Sequence, residues 1–292
     1  MLTWFKKKET DEPRARVVPR RSRVAGGSKV SRGATLTKRR KFLIVSLVLT
    51  LGLWIIQSLS VEARYLAIVI LALVSATLTG WSLIKDLRGV AWVLDLILPT
   101  LYPTVVAVFY FLLPQAAVTR WVILLLFTIS MYGLLLTANI FAVAAIRTIQ
   151  LLRAARAVGF LLSIFTSALF FHVIYSLHLP LLVVVGLVFL VTYPILLQGI
   201  WSYTLHADIS RDLLSAAIGA LVVAELALAI SFWLIDPPLA SVMLSMATYV
   251  IMGLFQHEAE GRLFPRTVQE FAGFSSIVFL VVIVTTVIRW MN

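Results

Sequence analysis

From residue 42 onward the chain is written in long apolar runs separated by short polar breaks. The runs fall at 42–60, 65–84, 93–113, 121–144, 158–175, 181–203, 213–235, 239–256 and 273–290. Each comes close to the ~20 residues an α-helix needs to cross ~30 Å of hydrocarbon. Leu, Val, Ile and Phe fill them without the period-2 alternation of a transmembrane β-strand, so they predict helices and not a barrel. The expected fold class is all-α, a polytopic transmembrane helix bundle of nine spans.

The run at 93–113 is the test of that count, because it holds Asp95, Pro99 and Pro103. Charge distribution decides it. If this run crosses and the N-terminus is inside, Lys85, Arg88, Arg147, Arg153, Arg156, Arg211, Arg262 and Arg266 face the cytoplasm, while Arg64, Arg120 and Arg289 face out. If it does not cross, Arg147, Arg153, Arg156, Arg211, Arg262 and Arg266 move outside and join Arg64. The excess of Lys and Arg on cytoplasmic loops favours nine crossings, with the C-terminus outside.

Composition agrees. Hydrophobic residues make up 61% of the chain, far above a soluble domain, and no polar interval after residue 41 could hold a water-soluble catalytic domain. The absence of cysteine excludes disulfides, thiolate metal sites, a lipoprotein anchor and cysteine catalysis. The first run is too long, and its basic leader too extended, for a cleavable signal.

Two regions follow, a tail at 1–41 and a helical domain at 42–292. The tail holds fourteen basic and three acidic residues, eleven of the chain's twelve net positive charges. With Gly26, Gly27, Gly33 and few apolar residues it is expected to be disordered. On the cytoplasmic side it would attract anionic headgroups at ~1 kcal/mol per basic residue near the surface. Arg39, Arg40 and Lys41 lie closest to the first span. Fixing the orientation of that span is the simpler account of the same charges. Nucleic acid would use them too, and is the weakest of the three readings. A second headgroup contact is expected at 144–158, where Arg147, Arg153 and Arg156 share one half of a helix and Leu151, Leu152 and Ala155 the other. Such a helix would lie along the inner leaflet.

Polar residues inside spans are costly and therefore the candidates for function. Glu225 is about twelve residues into its run, near mid-membrane at ~1.5 Å per residue, and is expected to face protein or water. Ser215 with Gly219, and Ala220 with Ala224, allow a close helix approach. Asp95 is expected to reach water at the cytoplasmic edge of the third span. Pro99 and Pro103 each delete a backbone donor there, and Pro194 does so in the sixth span. Asn139 and Gln198 can bond across helices. His172 and His178 fall at the outer interface.

No cofactor or metal motif is found. His257-Glu258-Ala259-Glu260 lacks the second histidine of a zinc protease, and Gly273-Phe274-Ser275-Ser276, though similar to a rhomboid serine loop, has no histidine after it. The block Thr137-Ala138-Asn139-Ile140-Phe141-Ala142-Val143-Ala144-Ala145-Ile146-Arg147-Thr148-Ile149-Gln150-Leu151-Leu152-Arg153-Ala154-Ala155 resembles one in uncharacterised multi-span membrane proteins of candidate-phylum bacteria. That resemblance implies a bacterial inner membrane and no particular chemistry. The function expected is non-catalytic, either carriage of a small solute or proton or a part in a membrane-embedded assembly with a partner protein. The alternative is a lipid-processing enzyme whose site joins Asp208 and Asp212 to Glu258 and Glu260 at the inner face.

Overall fold

The computed structural model describes residues 38–84, 87–113, 116–146, 150–206, 208–233, 235–261 and 263–291. The calls made on the tail up to residue 37, and on Lys85, Arg147 and Arg262, lie outside these residues. Among the described residues there are nine α-helices and no strand. They are α1 (Lys38–Ser58), α2 (Val61–Leu83), α3 (Ala91–Tyr110), α4 (Ala117–Ala144), α5 (Leu152–Ser176), α6 (Leu181–Thr204), α7 (Ser210–Ser231), α8 (Pro237–Ala259) and α9 (Pro265–Met291). All nine, the third included, are long and apolar enough to cross a membrane. The chain is a multi-pass membrane protein.

The helices run up and down. Lys41 at the start of α1 sits 4.7 Å above the Trp81 ring at the end of α2. Arg156 at the start of α5 meets Ser202 and Tyr203 at the end of α6 and Glu260 just past α8. Arg211 in α7 pairs with Glu258 in α8. These ends form one face, called the near face. On the far face Arg64 lies 4.6 Å over the Phe111 ring, Arg120 donates to Tyr110, Tyr175 donates to the Ala227 carbonyl, and Arg289 pairs with Asp236.

Two boundaries depart from the hydropathy pattern. The fifth helix starts at Leu152 and not at 158, so residues 152–158, expected in a separate surface helix, belong to α5. Arg153 and Arg156 lie in the first turns of α5 itself, where long basic side chains reach out of the apolar zone. The ninth helix begins at Pro265, before the apolar run at 273, with the proline at a position where its missing N–H costs nothing.

Helix α3 is central, touching α1, α2, α4, α5 and α6. It runs unbroken through Pro99 and Pro103, and its neighbour repairs the damage. Pro103 cannot donate to the Pro99 carbonyl, and Ser75 of α2 donates to that oxygen instead, at 2.6 Å. Helix α7 packs through its small residues Ala216, Gly219, Ala220, Ala224 and Ala227. A Cβ on Gly219 would come within 2.7 Å of Ile251 and 2.9 Å of Leu196, so this glycine is what lets α6 and α8 close on α7. Helix α9 is peripheral: 11% of its span is buried, against 50% for α3, α5 and α8.

Candidate functional site

Among the described residues the most buried acidic side chain is Asp95. It was expected to reach water at a helix edge. Instead it is 1% exposed, and neither carboxylate oxygen has a hydrogen-bond partner in the protein. The reason is that α3 is surrounded at this depth by α2, α4 and α6, so a position one turn from the helix end is still interior. Its backbone adds to the polarity, because Pro99 has no N–H to give the Asp95 carbonyl.

Three further unpartnered oxygens stand at the same level. Ser75 of α2 meets Pro99 of α3, and the two helices are antiparallel. One turn toward the near face from that contact therefore brings Thr79 level with Asp95, and Thr79 Oγ1 is buried without a partner. Asn139 Oδ1 in α4 and Gln198 Oε1 in α6 are likewise buried and unpartnered. Counting from the near ends of their helices, all four residues lie ~6–9 Å deep at ~1.5 Å per residue. Each buried oxygen without a donor costs ~1–3 kcal/mol, and native proteins keep few of them. Five such oxygens at one level are a set of acceptors with one acidic group among them.

A cavity of about 320 Å³ opens between the near ends of α3, α4 and α6, with Arg88, Ala91, Ala142, Trp201 and His206 among its walls. Asp95 is four residues beyond Ala91, Asn139 three before Ala142 and Gln198 three before Trp201. Residues three or four apart share a helix face, so the acceptors stand one turn above the cavity on the faces that line it. Arg88 and Gly89, which has φ +53°, form the turn at its mouth. Two other hollows, of about 510 and 330 Å³, lie on the outer surface beside α1, walled mainly by Leu, Val, Ile and Trp. They carry no comparable polar group.

Glu225 is placed otherwise than expected. It is on the exposed face of α7, about 180° around the helix from Ala216 at ~100° per residue, and has no hydrogen-bond or ion-pair partner among the described residues. The small residues that pack α7 turn the carboxylate outward. Asp95, Asn139, Pro99 and Pro103 thus gather around α3, and Glu225 stands apart from them. Sequence reasoning gave Thr79 no role and did not mention His206. The register set by Ser75 and Pro99 is the signal that finds the first.

The carboxylates of the enzyme alternative are held apart by separate partners. Asp212 accepts from Thr204 at 2.8 Å and not from Arg211 or Arg88. Ser210, through its hydroxyl and then its backbone N–H, holds the Asp208 carboxyl below the usual carboxylate range. Arg211 takes Glu258 at 2.7 Å and Arg156 takes Glu260 at 3.3 Å. Among the described residues no three His, Asp or Glu side chains come together to hold a metal ion. Ser275 is inside α9 and bonds its own helix, so the Gly-Phe-Ser-Ser segment is not a loop. His172 lies edge-on to Phe109, and His178 bonds the Ser176 carbonyl.

The arginines assigned to headgroups divide. Arg39, Arg40 and Arg153 are exposed on the near face. Lys41 covers Trp81. Arg156 is 18% exposed and is spent on two carbonyls, Glu260 and the Tyr203 ring, 4.5 Å away, which makes it a clamp between α5, α6 and α8.

Neither the curated proteins nor the solved structures compared with the chain match it. A family model does, over residues 42–285, from the first turns of α1 into α9. That match takes in every helix and all of the buried acceptors, and the chain accordingly belongs to the family described as protein of unknown function (DUF5656).

Proposed function

We propose that this protein carries a small cation, a proton or a protonated amine across the membrane, with Asp95 as the charge that meets it. One observation carries the reading: a carboxylate 1% exposed, without a protein donor, one turn above a cavity that opens on the near face. Oxygen-only sites suit hard cations and hydrogen-bond donors. Intramembrane acids commonly mark ion or proton pathways. Thr79, Asn139 and Gln198 supply neutral oxygens at the level of the Asp95 carboxylate, and Pro99 leaves the Asp95 carbonyl short of its helical donor.

In this reading the near face is cytoplasmic, since Arg39, Arg40, Lys41, Arg88, Arg153, Arg156, Arg211 and Arg266 lie there and Arg64, Arg120 and Arg289 on the other. The N-terminus is then inside and the C-terminus outside. The membrane is a bacterial inner membrane, and the basic tail rests on its anionic headgroups. No step needs a bond to be made or broken, so the protein is not an enzyme.

The test is reconstitution of the full chain in proteoliposomes with an internal pH dye, driven in turn by gradients of protons, Na+ and methylammonium. Wild type should move at least one of them, and Asp95→Asn should reduce that flux by more than tenfold. A wild-type protein that moves none, or a variant as fast as wild type, overturns the proposal.

A further inference from the structure

The near-face cavity has charge of both signs about it, and a bare cation uses only one of them. Arg88 is exposed in its wall, and among the described residues its side chain has no hydrogen bond or ion pair. Arg156, Arg211 and Arg266, also on the near face, are engaged by Glu260, Glu258 and Glu270. His206 stands in the same wall. The turn that brings it there is held at two points. The Leu205 N–H donates to the Trp201 carbonyl at 2.8 Å, with Leu205 at φ +49°, and Trp201 Nε1 donates to the His206 carbonyl at 3.2 Å. Among the described residues of the wall there is no Asp or Glu. The acid that answers these groups is Asp95, one turn further in.

A bare cation drawn to Asp95 from this side has to pass a guanidinium that keeps its charge at any working pH. A substrate with both charges turns that obstacle into a partner. Arg88 is seven residues before Asp95, ~10 Å along α3 at ~1.5 Å per residue, and its long side chain covers part of that interval. We infer that the cavity takes a small zwitterion, an ammonium joined through a few bonds to a carboxylate or phosphate, with the ammonium at Asp95 and the anionic group at Arg88. An ammonium has three N–H donors, and Asn139 Oδ1, Gln198 Oε1 and Thr79 Oγ1 stand unpartnered at the level of Asp95 to accept those it does not. A guanidinium grips a carboxylate or phosphate through two parallel N–H···O bonds. Both charges of the substrate are then paired as it leaves water, which is the condition for burying them. At about 320 Å³ the cavity is at the small end of ligand pockets, ~300–1,000 Å³, and suits a solute of amino-acid size. The inference rests on the transport reading for the role of Asp95 and adds Arg88 as the residue that selects the substrate class.

The test measures uptake of labelled glycine, 4-aminobutanoate and phosphoethanolamine beside methylammonium, in proteoliposomes of the full chain. Wild type should take up at least one zwitterion more than tenfold faster than methylammonium. Arg88→Gln should lower the ratio of zwitterion to methylammonium uptake by more than tenfold, slowing the first and speeding the second, since the charge that repels a bare cation is gone. Arg88→Lys, which keeps the charge and loses the fork, should fall between, and Asp95→Asn should slow both. Transfer of labelled phosphatidylethanolamine between leaflets, followed in the same vesicles, tells a lipid headgroup from a free solute as the source of the paired charges. Methylammonium uptake that depends on Asp95, with no zwitterion preferred, overturns this inference and leaves cation carriage standing. An unaltered ratio in Arg88→Gln also overturns it, because an arginine that only anchors the loop affects all substrates alike. If nothing is transported, yet a zwitterion raises the melting temperature of the chain in detergent and both variants lose that shift, carriage fails and the zwitterion site stands. Neither uptake nor shift overturns both.

Discussion

Asp95 and Glu225 carry the same functional group inside membrane spans, yet four helices enclose the first and the second faces outward. The difference shows what could be read from the chain. Depth along a span is counted at ~1.5 Å per residue, and because α7 ends at Ser231 the count puts Glu225 ~9 Å from its far end and not at its middle. The direction a side chain faces was harder to read, because lipid and protein interior are equally apolar and a span need not be amphipathic. For Asp95, nearness to a helix end suggested water; the crowding of α2, α4 and α6 around α3 removed it. Its environment also makes a stability prediction. Leu branches like Asp and needs no donor, so Asp95→Leu should raise resistance to thermal unfolding in detergent by ~1–3 kcal/mol while abolishing flux. A variant that is destabilised instead would mean that the carboxylate holds the helices together.

At the scale of the element, α7 and α3 were legible in different degrees. The small residues at spacing four in α7 identified its packing face, and the position of Glu225 opposite Ala216 was implicit in the same pattern. In α3 the prolines were visible, but their consequence depends on a residue in another helix. Ser75 replaces the donor that Pro103 lacks, and nothing in the α2 sequence marks that serine out. The pair can be tested as a cycle. Ser75→Ala should cost ~1 kcal/mol in unfolding from mixed micelles, and much less in a Pro103→Ala background, where the restored amide can serve the Pro99 carbonyl. Equal costs in both backgrounds would show that the two are uncoupled.

For the whole molecule, the hydropathy pattern gave nine helices long and apolar enough to cross a membrane, the third run among them. An odd number of crossings puts Lys38 and Met291 on opposite faces. Reporter fusions should find a tag ahead of residue 38 in the cytoplasm and one after residue 292 outside it; two tags on one side would invert every sidedness argued from the arginines. The helix ends were less legible, because Arg156 was expected at lipid headgroups and instead closes a clamp with Glu260 across three helix ends. The slight burial of α9, which rests chiefly on α8, bears on biogenesis. It follows the other eight helices in the chain, and Tyr249 and His257 of α8 wait for its Phe271 to complete their packing. The first eight can settle before α9 is made, and α9 then attaches sideways from the translocon, latched at its far end by Arg289 to Asp236.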